Sequence, residues 1–117
     1  MRDSAAEQAA QPEDLGRLFL LRANAGDAAG VARLYEPAAV LAAPGGGLAV
    51  GSEDIRRAYE QLLSGRPQFA GAGRPALRFG DLALTSTRFA GGATAEVARR
   101  QADGSWLWVM DQPNVLG

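Results

Sequence analysis

The chain contains neither cysteine nor histidine, which removes the thiolate nucleophile, the disulfide framework and the imidazole base together. Ser-His-Asp and Cys-His catalysis are thereby excluded, as are zinc sites built on Cys or His. Acid or base chemistry must use Asp, Glu, Tyr, Arg or water, and in practice that means carboxylates. One pair stands out. If Gly91-Gly92 and Asp103-Gly104 are two-residue hairpin turns, Ala90 faces Ala93, Thr87 faces Glu96, Ala102 faces Ser105, and Glu96 faces Asp111. Thr87, Glu96 and Asp111 then form one row on one face of three strands. Two carboxyls opposed at roughly 5 Å repel when both are ionised, so in a poorly solvated place one keeps its proton at neutral pH. Such a pair supplies one acid and one base, and Arg100, further along the same face, is placed to steady an anionic intermediate. The competing reading makes Glu96, Asp111 and Arg100 a solvated outer face, because the opposite face carries the stronger apolar set of Leu82, Leu84, Ala95, Val97, Trp106, Trp108 and Met110.

The elements that must position these residues are marked by punctuation and periodicity. Pro12, then Glu13 and Asp14, start a helix on which Leu15, Leu18, Phe19 and Arg22 recur at helical spacing, and Gly26 stops it. Asp27 caps a shorter second helix through Val31, Leu34 and Tyr35, which Pro37 prevents from continuing. Val40 to Ala42 and Leu48 to Val50 read as a small hairpin about Pro44-Gly45-Gly46-Gly47, which lacks the Lys and Ser/Thr of a phosphate loop. Ser52 caps a third helix with Ile55, Tyr59, Leu62 and Leu63 on one face, ending at Gly65. From Arg74 onward the pattern is a four-stranded meander: Leu77 to Phe79, Leu82 to Phe89, Ala93 to Gln101 and Trp106 to Gln112. Helices in the first half and strands in the second imply an α+β layer structure.

Composition sets the outer bounds. The 117 residues fit one domain, residues 12–117, after a loose Ala-rich tail at 1–11. An apolar content of 47% with 21% charged residues belongs to a globular protein. Net charge is −1 and the 12 Lys and Arg are scattered, so no electrostatic footprint for nucleic acid is present. No stretch reaches the roughly 20 apolar residues that cross a bilayer, and the first residues lack a signal-peptide core, giving an expected cytoplasmic location. Nothing in the sequence calls for a metal or a cofactor.

The order helix, helix, hairpin, helix, meander resembles the nuclear transport factor 2-like superfamily. Ala25-Gly26-Asp27, Leu34-Tyr35, Val40 to Pro44, Gly51 to Ile55, Gly80 to Ala83 and Arg100 to Trp106 are similar to its SnoaL-like and ketosteroid isomerase-like branches. The resemblance implies a curved antiparallel sheet wrapped by three helices into a cone around an apolar pocket. It turns Glu96 into that pocket and packs the outer sheet face, with Trp106, Trp108 and Met110, against a second subunit of a homodimer. Phe19, Leu34, Tyr35, Tyr59 and Val109 are then expected to line the pocket with Thr87. The isomerase chemistry itself is not implied. Its carboxylate base falls on Ala43, its helix-1 tyrosine falls on Phe19, and only its strand carboxylic acid survives, at Glu96; a histidine-dependent dehydratase is excluded. The superfamily includes enzymes and binding proteins. Three functions therefore stand: a pocket for a small polyketide-like or aromatic molecule; a cofactor-independent isomerase, cyclase or hydrolase using Glu96, Asp111 and Arg100; or a partner-binding module.

Overall fold

The computed structural model describes residues 7–43 and 45–116. Helix α1 (Asp14–Asn24) starts two residues after the buried Pro12 and buries Leu15 and Leu18 completely. Helix α2 (Ala28–Ala32) is capped as its sequence suggests, the Asp27 carboxylate accepting the Gly30 N–H at 2.9 Å. It ends at Ala32 instead of running through Tyr35, because Tyr35 already opens strand β1 (Tyr35–Ala42). Pro37 sits inside that strand, in the stretch between Tyr35 and Val40 where pairing with the neighbouring strand is irregular and a missing N–H costs least. Strand β2 (Leu48–Val50) closes the expected hairpin with β1, Val40 opposite Val50, while Pro44 at its tip lies outside the described residues. Helix α3 (Gly51–Leu63) turns Ile55, Tyr59 and Leu63 inward. Asp54, not Ser52, serves its start, accepting the Val50 N–H at 3.4 Å.

The second half forms β3 (Ala72–Gly73), β4 (Leu77–Phe79), β5 (Leu82–Thr85), β6 (Thr87–Phe89), β7 (Gly92–Ala93), β8 (Ala95–Arg100) and β9 (Trp106–Gln112). The α+β class holds, but the antiparallel meander closed into a cone does not. Six strands order as β2-β1-β9-β8-β5-β4, and β1 runs parallel to β9, so the sheet is mixed. It ends open at β2 and β4 and is not strongly curled. The long strands expected at 82–89 and 93–101 break at Ser86 and Thr94. There the Thr94 hydroxyl takes the Thr87 N–H at 2.9 Å, and β6 and β7 leave to join β3 in a separate three-stranded sheet. The helices and one face of the large sheet share a single core that includes Leu15, Leu18, Ile55, Leu41, Ala98, Trp106 and Trp108. Of the expected N-terminal tail, residues 1–6 lie outside the described residues, and Ala9 is buried with its carbonyl accepting the Trp106 N–H at 2.9 Å. Among the described residues no helix is long and apolar enough to cross a membrane.

Register decides which side chains face that core. The hairpin between β6 and β7 turns at Ala90-Gly91, since Phe89 pairs with Gly92. Gly91 takes the left-handed φ of +88°, whereas a Cβ on Gly92 would sit 2.3 Å from the Asn114 side chain. Glu96 therefore faces Thr85, two residues before Thr87. The hairpin between β8 and β9 is a three-residue turn, with Gln101 and Ser105 hydrogen-bonded and Gly104 left-handed. That places Arg100 opposite Trp106, one step off the expected register, and Trp106 and Trp108 point inward. An extra residue at Val109 then shifts β9 back by one, so Glu96 and Asp111 do face each other, both on the buried side. The face assigned from sequence to a second subunit consequently loses both tryptophans and keeps Met110. Because Trp106 is 4% exposed within the single chain, Trp106→Ala is expected to lower the stability measured by urea unfolding by about 3–5 kcal/mol. An outward-facing tryptophan would change it by about 0.5 kcal/mol or less.

A buried carboxyl pair in an aromatic cavity

The inner face of the large sheet presents Leu41, Asp111, Glu96 and Thr85 in one line across β1, β9, β8 and β5. Glu96 is 5% and Asp111 9% exposed, so both carboxyls sit where an ionised group loses most of its hydration. Their surroundings differ. The Thr85 hydroxyl donates to Glu96 Oε1 at 2.5 Å and is itself held by the Trp108 indole N–H at 3.1 Å, and Thr94 adds a further side-chain hydrogen bond to Glu96. Asp111 Oδ2 accepts from the Tyr35 hydroxyl, which lies 2.8 Å from the Tyr59 hydroxyl. With Tyr35 donating to Asp111, the Tyr59 proton points to the Tyr35 oxygen, and the row of hydroxyls is aligned toward Asp111. Asp111 Oδ1 is buried with no hydrogen-bond partner among the described residues.

Burial raises the pKa of both carboxyls, but the hydrogen bonds from Thr85 and Thr94 oppose that rise at Glu96. Asp111 is pushed up to about 7, first by burial and then by the charge of Glu96, with the Tyr35 hydrogen bond working the other way. Loss of hydration and the neighbouring Glu96 charge thus disfavour a second charge on Asp111, which exchanges its proton near neutrality. Burial and these carboxylates drive the hydroxyls of Tyr35 and Tyr59 well above the usual tyrosine range, so both remain donors.

A cavity of about 420 Å³ opens on this pair. Glu96 and Asp111 are its acidic groups, Gln68, Thr87 and Thr94 add neutral polar ones, and Phe19, Leu20, Leu62, Phe69 and Trp108 supply apolar wall. The rings are packed among themselves: Phe19 lies edge-on to Tyr59 at 5.9 Å and to Phe69 at 5.5 Å, and Tyr35 lies 5.3 Å from Trp108. Of the residues singled out from sequence, Phe19, Tyr59, Thr87, Glu96 and Asp111 line this cavity. Tyr35 stands behind it as the partner of Asp111. Leu34 is buried and borders a different hollow, beside Arg22, Arg33 and Trp106, while Val109 is the half-buried extra residue of β9. Arg100 is at the surface, bound to Asp81 at 2.5 Å, and does not reach the carboxyls. Sequence reasoning missed Trp108, Thr85, Thr94 and Phe69. The alternation of Trp106 and Trp108 did signal the core side, but a bulge that moves Asp111 to the same side as Trp108 leaves no mark in a period of two.

No protein-family model matches the sequence, and no curated protein is recognisably similar to it. Solved structures are. A ketosteroid isomerase-like protein from Erwinia carotovora atroseptica superposes with a TM-score of 0.67 at 22% identity, over 85% of this chain and 88% of the other. A nuclear transport factor 2-like protein with a cystatin-like fold from Novosphingobium aromaticivorans gives 0.64 at 20% identity, over 85% and 75%. The fold is that of the nuclear transport factor 2-like superfamily. A Catenulispora acidiphila protein in complex with S-DNPA shares it, with a TM-score of 0.66, 20% identity and coverage of 86% and 87%.

The raised pKa of Asp111 has a definite sign in stability. A carboxyl that titrates at about 7 when folded and near 3.8 when unfolded stabilises the folded chain fully below pH 4, and that contribution is lost as pH rises through 7. Asp111→Asn is therefore expected to match the parent protein near pH 4 and exceed it in urea-unfolding stability at pH 8, by on the order of a few kcal/mol.

Proposed function

We propose that this protein binds a small, largely apolar molecule carrying one oxygen-bearing polar group, with its ring or chain against Phe19, Leu62, Phe69 and Trp108 and its polar group on Asp111. The observation that carries this reading is that Asp111, a lining residue of a largely apolar cavity, has a buried Oδ1 without a partner among the described residues. A buried polar atom left unpaired costs free energy that a ligand oxygen or hydroxyl would recover. The volume of about 420 Å³ suits a bicyclic or tricyclic aromatic or polyketide-like molecule. The test uses 2-naphthol and naphthalene, followed by the fluorescence of Trp108 in the cavity wall. 2-Naphthol is expected to bind about tenfold more tightly, as one hydrogen bond to a carboxyl warrants, with the advantage gone in Asp111→Leu. Equal affinities for the two probes in the parent protein would remove the role given to Asp111.

A second reading, acid/base turnover, is favoured by one observation: Asp111, pushed up to about 7 by burial and the neighbouring Glu96 charge, stands directly opposite a second buried carboxyl. An acid poised at neutral pH can protonate a ligand oxygen or receive its proton, with Glu96 holding the opposite protonation state. Isomerisation, cyclisation and hydrolysis all fit that pair. Thr87 remains a candidate to orient the ligand from the cavity wall, and Arg100, engaged by Asp81, takes no part.

The expected homodimer, in this proposal, uses a corrected surface. Val50, Val40, Met110, Val97, Leu84 and Leu77 fall in one unbroken row across all six strands of the outer face. Leu77 is 71%, Met110 53% and Leu84 46% exposed. A flat apolar row of this kind suits self-packing about a two-fold axis near Met110 and Val97. Analytical ultracentrifugation is expected to show a dimer that Leu84→Lys converts to monomer without loss of fold. A parent protein that stays monomeric at high concentration would contradict it.

A further inference from the structure

The outer wall of the cavity is the stretch 64–71, between the end of α3 and β3, and it contributes Gln68, Phe69 and Ala70 to the lining. It forms no regular helix or strand over 66–71. Its ends are fixed. Leu63 is buried at the end of α3, and at the other end Ala72 and Gly73 pair with Arg88 and Thr87. Gly71 lies so close to β6 that an added Cβ would sit 2.6 Å from the Thr87 side chain.

Between those ends a single side chain holds the backbone. The Asn24 carboxamide accepts the Phe69 N–H at 2.7 Å and donates to the Phe69 C=O at 3.0 Å. Among the described residues no other hydrogen bond reaches residues 67–70 from outside that stretch. The Phe69 ring meets Phe19 edge-on at 5.5 Å. Helix α1 thus supplies both attachments, Phe19 for the ring and Asn24, its last residue, for the backbone. Only a carboxamide does the second job, because it presents an acceptor and a donor side by side, as a neighbouring strand would; a carboxylate can only accept.

We propose that Asn24 is the positioning residue that holds Phe69 over the mouth of the cavity, and that ligands reach Asp111 and Glu96 when this two-bond contact opens. The inference rests on the reading of the cavity as a ligand site, and it sets access rather than affinity. Ring contacts between Phe19 and Phe69 favour closure, while hydrogen bonds at an exposed helix end exchange readily with water, which makes this the weakest link in the wall.

Acrylamide quenching tests it without a ligand. In a Trp106→Phe background, Trp108 is the sole tryptophan, and as a buried residue of the cavity wall it reports quencher access through the mouth. Asn24→Ala is expected to raise the quenching constant several-fold and to abolish hydrogen-exchange protection of the Phe69 amide, with Tm unchanged within a few degrees. Asn24→Asp, which keeps one of the two bonds, should fall between and serves if the alanine variant folds poorly. Loss of Phe69 protection without a change in quenching overturns the proposal, as does unchanged protection in both variants. Failure of 2-naphthol to bind would count against the ligand reading alone, since acrylamide access does not depend on it.

Discussion

Between Trp108 and Met110, strand β9 has one residue more than β8, and the effects of that extra Val109 reach both faces of the sheet. Before it, even-numbered residues point inward and Trp106 and Trp108 join the core; after it, the odd-numbered Asp111 does. A strand with strict alternation could bury the tryptophans or the carboxyl but not both, because the side-chain period is two. The bulge places an ionisable group directly beside an indole wall. It also turns Met110 outward to complete an apolar row from Val50 to Leu77. Cavity and outer surface are two results of one insertion.

Side by side in a cavity walled by Phe19, Phe69 and Trp108, two carboxyls cannot both be charged at low cost. The fold resolves the conflict by unequal hydrogen bonding: Thr85 and Thr94 support charge on Glu96, whereas among the described residues Asp111 has Tyr35 as its partner and one oxygen without any. Tyr59, from α3, backs Tyr35, from β1, so helix and strand together fix the direction of the hydroxyl row.

Element types and order were largely readable from the chain, since Asp27, Gly26, the α3 stripe of Ile55 and Tyr59, and the turn dipeptides carry local signals. The pairing of Glu96 with Asp111 was readable too, though by compensation: the turn at Asp103-Gly104 is one residue longer than counted, and the bulge at Val109 restores the sum. The same two differences put Trp106 and Trp108 on the opposite face from the one inferred. Thr85 replaced Thr87 because the turn sits at Ala90-Gly91, and the close approach of Asn114 to Gly92 is a tertiary contact invisible to local pattern. The parallel pairing of β1 with β9, and the break at Ser86 and Thr94 that leaves the sheet open, depend likewise on long-range packing. Arg100 has the same strand parity as Glu96, which is the signal the sequence offers, but at the exposed end of β8 it is held by a surface carboxylate, Asp81.

The most direct measurement is a carboxyl-detected NMR titration of Glu96 and Asp111 in the unmodified protein. Asp111 is expected to titrate near 7, with the resonance of each carboxyl also shifting as the other ionises. Two independent curves at ordinary carboxylate values, roughly 4, would mean that the pair is solvated and uncoupled, and the buried acid on which the cavity's chemistry depends would not exist.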